Sequence, residues 1–92
     1  MRYQQPFTHA QRLRGASVYR SMRNNLRRLT SDFPPANAQE RSLLRDFRAA
    51  VRDFGEALNR ELGKVDVDRL NDLQSRADWL ALEYVATHIA SR

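Results

Sequence analysis

Two histidines, eleven carboxylates and sixteen basic side chains are the groups from which this sequence could build a site. A nucleophile–base pair finds little support among them. His9 and His88 stand near opposite ends of the chain, where isolated histidines read as surface or capping residues rather than catalytic ones. There is no cysteine, which excludes disulfides, zinc–thiolate sites and thiol catalysis. No glycine-rich phosphate loop is present. The run Asp66-x-Asp68-x-x-x-Asp72 superficially resembles a calcium loop. It lacks the glycine at the sixth position and the glutamate at the twelfth, so it reads as acids gathered at a helix start, where the helix dipole favours them. The chain is therefore expected not to be an enzyme and to carry no intrinsic cofactor or metal.

The arginines carry more information. Residues 1–31 hold seven arginines and no acid, whereas residues 32–92 hold nine basic and eleven acidic residues. The net charge of +5 thus arises entirely from the first third. Within it, Arg20, Arg23 and Arg27 recur at three- and four-residue steps, beside an apolar row of Tyr19, Met22 and Leu26. A second row, Arg41, Arg45, Arg48 and Arg52, falls within about 60° on a helix advancing 100° per residue. Asp46 and Asp53 are expected on the opposite flank of the apolar stripe. Unpaired rows of like charge repel themselves, and a bound anion relieves that cost. Guanidinium forks suit carboxylates and phosphates, so an acidic protein surface or a phosphate is the partner these rows fit.

Three helices must position those rows. Ninety-two residues make one domain, 1–92, with a limited core. The spacing predicts a first helix over about 8–30, with Tyr19, Met22, Leu26 and Leu29 inward and Gly15 as a weak point. Pro34-Pro35 stops it. Asn37 and Glu40 read as a capping box opening a second helix over 37–62, which Gly63-Lys64 would end. That helix carries the strongest apolar pattern, from Leu43 and Leu44 through Phe47, Val51 and Phe54 to Leu62. Asp66 or Asp68 would cap a third helix over 67–90, whose inward face is Leu70, Leu73, Ala77, Leu80 and Tyr84. A second apolar set on that helix, Trp79, Leu82, Ala86 and Ile89, exceeds what a three-helix core needs. Trp79, Leu82 and Ile89 are expected to contact a larger assembly. With no strand-like alternation and short connections, the expected fold is an all-α, antiparallel (up-down-up) three-helix bundle. No apolar run approaches the ~18 residues that span a bilayer.

Val18-Tyr19-Arg20 early in a basic first helix, Leu26-Arg27 within two turns, and Arg45-Asp46-Phe47-Arg48 in the second helix form a recognisable set. It resembles the mitochondrial LYR-motif family, whose pattern is a Leu-Tyr-Arg triplet, further basic residues and a downstream Phe followed by Arg. Tyr19, Arg20, Phe47 and Arg48 match that pattern, with Val18 in place of the leucine. Thr8-His9-Ala10-Gln11 is also similar to the opening of small LYR subunits of respiratory complex I. The likeness extends over about residues 8–75. It implies a three-helix bundle that docks the acidic mitochondrial acyl carrier protein and its acylated 4′-phosphopantetheine arm. It further implies a non-catalytic accessory subunit on the matrix side of the inner membrane, most readily in complex I (NADH dehydrogenase). An assembly factor, or a subunit of ATP synthase or the mitochondrial ribosome, is the alternative. Under this resemblance Tyr19, Arg20, Arg23, Arg27, Arg41, Arg45, Phe47, Arg48 and Arg52 meet the partner. The acyl chain is expected near Tyr19, Met22, Phe47 and Val51.

Other functions compete on the same residues. Arginine rows serve an RNA backbone equally well, although the acids of residues 32–92 dilute the field and no recognition motif is visible. Residues 8–30 could instead lie on an anionic membrane surface. The arginine-rich, acid-free start also has the composition of a mitochondrial targeting segment.

Overall fold

A computed structural model of the chain describes residues 8–59 and 66–91. They form three helices, α1 (His9–Asp32), α2 (Ala38–Leu58) and α3 (Val67–Ala90). Among the described residues there is no strand, and the helices pack as an all-α three-helix bundle. None of these helices is long and apolar enough to cross a membrane.

Each helix starts where a side chain can take up the free amides of a first turn. Thr8 and Gln11 make a complete capping box: Gln11 N–H donates to Thr8 Oγ1 at 3.1 Å, and Thr8 N–H donates to Gln11 Oε1 at 2.8 Å. This cap lets α1 begin at His9 and run through Gly15. Asn37 caps α2, accepting from Glu40 N–H at 2.9 Å. The reciprocal arm expected of Glu40 is not made in that form. Its carboxylate instead accepts from Asn37 Nδ2 at 2.7 Å and faces α3. Asp66 caps α3, accepting from Arg69 N–H at 3.1 Å.

The ends follow the same logic. Phe33 N–H closes α1 on Leu29 O, immediately before Pro34-Pro35. α2 ends at Leu58, with Asn59 N–H on Gly55 O. Arg12 of α1 reaches across and donates from Nη1 to Leu58 O at 3.2 Å, satisfying one of the carbonyls that a helix end leaves open. Leu62 and the expected stop at Gly63-Lys64 lie outside the described residues.

Cross-helix contacts fix the topology. Arg12 and Gly15 at the start of α1 meet Leu58 at the end of α2, and Glu40 at the start of α2 meets His88 at the end of α3. Neighbouring helices therefore run antiparallel, up-down-up. The core joins Leu44, Phe47, Val51, Phe54 and Leu58 of α2 to Leu70, Leu73, Ala77, Leu80 and Tyr84 of α3. α1 fully buries only Met22 and Leu29, with Val18, Tyr19 and Leu26 half-buried against the core. It rests mainly on α2 and touches α3 least. The bundle is thus a tight α2/α3 pair with a lightly seated first helix.

Candidate functional site

The two arginine rows come from different helices, and the fold decides whether they form one surface. All seven of their arginines are solvent-exposed. Arg23 and Arg27 of α1 and Arg48 of α2 line a single groove of ≈ 450 Å³ together with Leu26, Thr30 and Ser31 of α1. Arg20 joins Tyr19, Arg23 and Arg27 around a second recess of ≈ 310 Å³ one turn earlier on α1. Among the described residues, Arg20, Arg23, Arg27 and Arg48 have no carboxylate within ion-pair distance. Four guanidiniums without a partner carboxylate, beside an apolar side chain, have the chemistry to take up an anion.

The second row is divided. Arg48 lies nearest the α1 side of α2 and enters the groove, whereas Arg41, Arg45 and Arg52 do not line it. Asp46 and Asp53 were expected on the far flank, but both come within reach of that row. Arg45 Nε lies 3.8 Å from Asp46 Oδ1, and Arg52 Nη2 lies 3.3 Å from Asp53 Oδ1. Each long arginine stem folds toward the residue that follows it, across an angle that the helical wheel alone does not bridge. Half of the second row is therefore partly neutralised, and the electrostatic weight moves to α1 and Arg48.

Tyr19 is held by local packing. Its ring lies 8° from parallel to that of Phe54, with centroids 6.5 Å apart, and Arg23 sits over its face at 5.7 Å. Gly55 makes room for it: a Cβ at Gly55 would lie 2.7 Å from the Tyr19 ring. Tyr19 thus acts as a spacer that seats α1 on α2 and presents Arg23 outward.

The four residues expected around an acyl chain are not gathered in one cavity. Met22 and Phe47 lie at the floor of a crevice of ≈ 540 Å³ between α1 and α3, walled by Ser17, Ser21, Asn25, Arg28, Gln74 and Asp78. Tyr19 faces the arginine side, and Val51 is 4% exposed inside the core. This polar-walled crevice with an apolar floor lies between the two helices that touch least, α1 and α3. Sequence reasoning missed it, since wheel diagrams do not report how far two helices splay.

A buried polar cluster closes the other end of the bundle. Glu40 is 0% exposed and shares a hydrogen bond with His88 Nδ1. Tyr84, also 0% exposed, donates its hydroxyl to Phe33 O. The His88 ring meets Phe33 edge-on with centroids 5.4 Å apart. Burial pushes the Tyr84 phenol above its ordinary value of 10.0, the Glu40 carboxylate raises it further, and Arg48 pulls it back. His88 is therefore an interior residue, contrary to its reading as a surface or capping histidine. One signal was available: Glu40 and His88 both fall in register with the apolar stripes of their helices, at Glu40–Leu44–Phe47 and Tyr84–His88. His9 is exposed, and no group of acids and histidines among the described residues could hold a metal ion.

On the third helix, Trp79, Leu82 and Ile89 are 58%, 73% and 57% exposed, as a partner-facing set requires. The chain matches no protein-family model, no curated protein and no solved structure.

Proposed function

We propose that this protein is a non-catalytic adaptor whose α1/α2 groove docks an acidic, helical carrier protein. The observation that carries this reading is the joint lining of one groove by Arg23, Arg27 and Arg48 around Leu26. Charge-assisted hydrogen bonds from such a strip to an acidic helix fix orientation and speed the encounter, while Leu26 supplies the apolar contact. The resemblance of Tyr19, Arg20, Phe47 and Arg48 to the LYR pattern names the carrier: the mitochondrial acyl carrier protein. The phosphate of its 4′-phosphopantetheine arm suits the guanidiniums. Its acyl chain would enter beside Met22 and Phe47 as the lightly seated α1 moves from α3, each buried methylene contributing ~0.8 kcal/mol. On this reading the protein serves as an accessory subunit of a respiratory complex, complex I foremost, on the matrix side of the inner membrane.

Co-expression with a tagged mitochondrial acyl carrier protein tests the proposal. The wild-type chain is expected to co-purify with the carrier in equimolar amount. The Arg23→Glu/Arg27→Glu variant, whose changes are at exposed positions, is expected to stay helical and to be lost from the eluate. Failure of the wild-type chain to co-purify, or undiminished recovery of the variant, would overturn the reading.

A further inference from the structure

The exposed apolar set on α3 has a geometry of its own. Trp79, Leu82, Ala86 and Ile89 follow one another at steps of three, four and three, the spacing of a coiled-coil seam. At 100° per residue their mean direction is about 170° around the helix from that of the buried residues of α3. The seam is therefore the far side of the helix rather than the margin of the core.

The flanking charges say what can cover it. Asp78 borders the seam on one side and Glu83 on the other, with Arg76 two turns before Glu83 on the same flank; all three are exposed, and the acids outnumber the arginine along the seam. α3 as a whole carries four acids against two arginines, whereas α1 carries six arginines against one acid. The same seam on a second copy of this chain is a poor match. In parallel pairing Asp78 would stand opposite the other copy's Glu83. In the antiparallel register that aligns all four apolar positions, the two Glu83 side chains would meet. Like charges at such flanking positions disfavour pairing and set partner choice.

We infer that the α3 seam docks a basic amphipathic helix of another protein, one with apolar residues at three- and four-residue steps and lysine or arginine beside them. The molecule is then a two-faced adaptor, with an acidic partner on the α1/α2 groove and a basic helix on α3. The inference rests on α3 alone and does not depend on the identity of the carrier.

Trp79 is the single tryptophan of the chain, so its emission reports the seam directly. Two synthetic three-heptad peptides would be titrated into the full-length protein at low salt. Both carry leucine at the seam positions; one carries lysine at the flanking positions and the other glutamate. The lysine peptide is expected to blue-shift Trp79 emission saturably and to bind about tenfold more tightly than the glutamate peptide, as two flanking pairs change from repulsive to attractive. Asp78→Lys/Glu83→Lys is expected to reverse that preference, and Leu82→Glu, at an exposed position, to abolish binding of both. Arg23→Glu/Arg27→Glu, which removes the carrier-binding strip, is expected to leave the lysine peptide's affinity unchanged. Equal affinity for the two peptides, no shift with either, or a preference that survives the Asp78/Glu83 reversal would overturn the inference. So would concentration-dependent dimerisation of the free chain that buries Trp79.

Discussion

Replacing His88 by alanine would leave the Glu40 carboxylate in place, 0% exposed, with Asn37 Nδ2 as its remaining side-chain donor. Leaving a buried acceptor without its donor costs about 1–3 kcal/mol. Glu40 is fully buried, which places the expected loss at the upper end, about 3 kcal/mol, even with the bond from Asn37 at 2.7 Å retained. At roughly 0.05–0.15 kcal/mol per residue, a chain of this size has about 5–14 kcal/mol in total, so the loss is a large fraction. It corresponds to a fall in Tm of roughly 12–24 °C for a domain of this size. Thermal and urea unfolding followed by far-ultraviolet circular dichroism would measure it, with Glu40→Ala and the double variant completing a cycle. Because the unpaired carboxylate causes the loss, Glu40→Ala/His88→Ala is expected to be less destabilised than the sum of the single changes by about 2 kcal/mol. A cost for His88→Ala below about 1 kcal/mol, or strict additivity, would refute the claim that the pair clasps α3 to the start of α2.

Three further outcomes follow from the same packing. Gly55→Ala is expected to destabilise by about 1–3 kcal/mol, since its Cβ would lie 2.7 Å from a ring stacked on Phe54, and to weaken carrier binding by displacing Tyr19 and Arg23. Gly15→Ala, whose Cβ would meet only the end of the Leu58 side chain, is expected to be milder. The ~1 kcal/mol gain in helix propensity offsets the shift of Leu58, and urea midpoints of the two variants give the comparison. Tyr84 holds its proton more tightly when folded than when unfolded, so its contribution is intact below pH 10 and is lost as pH rises through the higher folded-state value. Wild-type Tm measured across pH 8–11 is expected to fall steeply at the alkaline end. Tyr84→Phe, less stable by about 1 kcal/mol at neutral pH through loss of the bond to Phe33 O, is expected to fall less.

Most of the fold was legible because its punctuation is local. Thr8, Asn37 and Asp66 each stand immediately before the first residue of a helix, and Pro34-Pro35 leaves no doubt where α1 must stop. The group that takes up the Leu58 carbonyl was not legible, because Arg12 lies 46 residues away in sequence. The exposed seam of α3 could be read from spacing alone, since a helix with two apolar faces cannot bury both in a three-helix bundle. The arginine surface was only half legible. Wheel positions aligned the rows correctly on each helix, but only the crossing of α1 over α2 shows that Arg48 joins Arg23 and Arg27 while Arg45 and Arg52 turn to neighbouring acids. The grouping of the acyl-chain residues was not legible, because Tyr19 and Met22, neighbours on one face of α1, border different recesses, Tyr19 among the arginines and Met22 in the crevice toward α3.

The central claim is that three guanidiniums, Arg23, Arg27 and Arg48, act together on one acidic carrier. The salt dependence of that binding tests it most directly. Isothermal titration of the purified chain with acylated mitochondrial carrier protein between low and physiological salt is expected to show affinity falling steeply with ionic strength, because exposed charges are screened. The Arg23→Glu/Arg27→Glu/Arg48→Glu variant should show no measurable binding at either salt. Binding that is indifferent to salt, or that persists in the triple variant, would contradict the account.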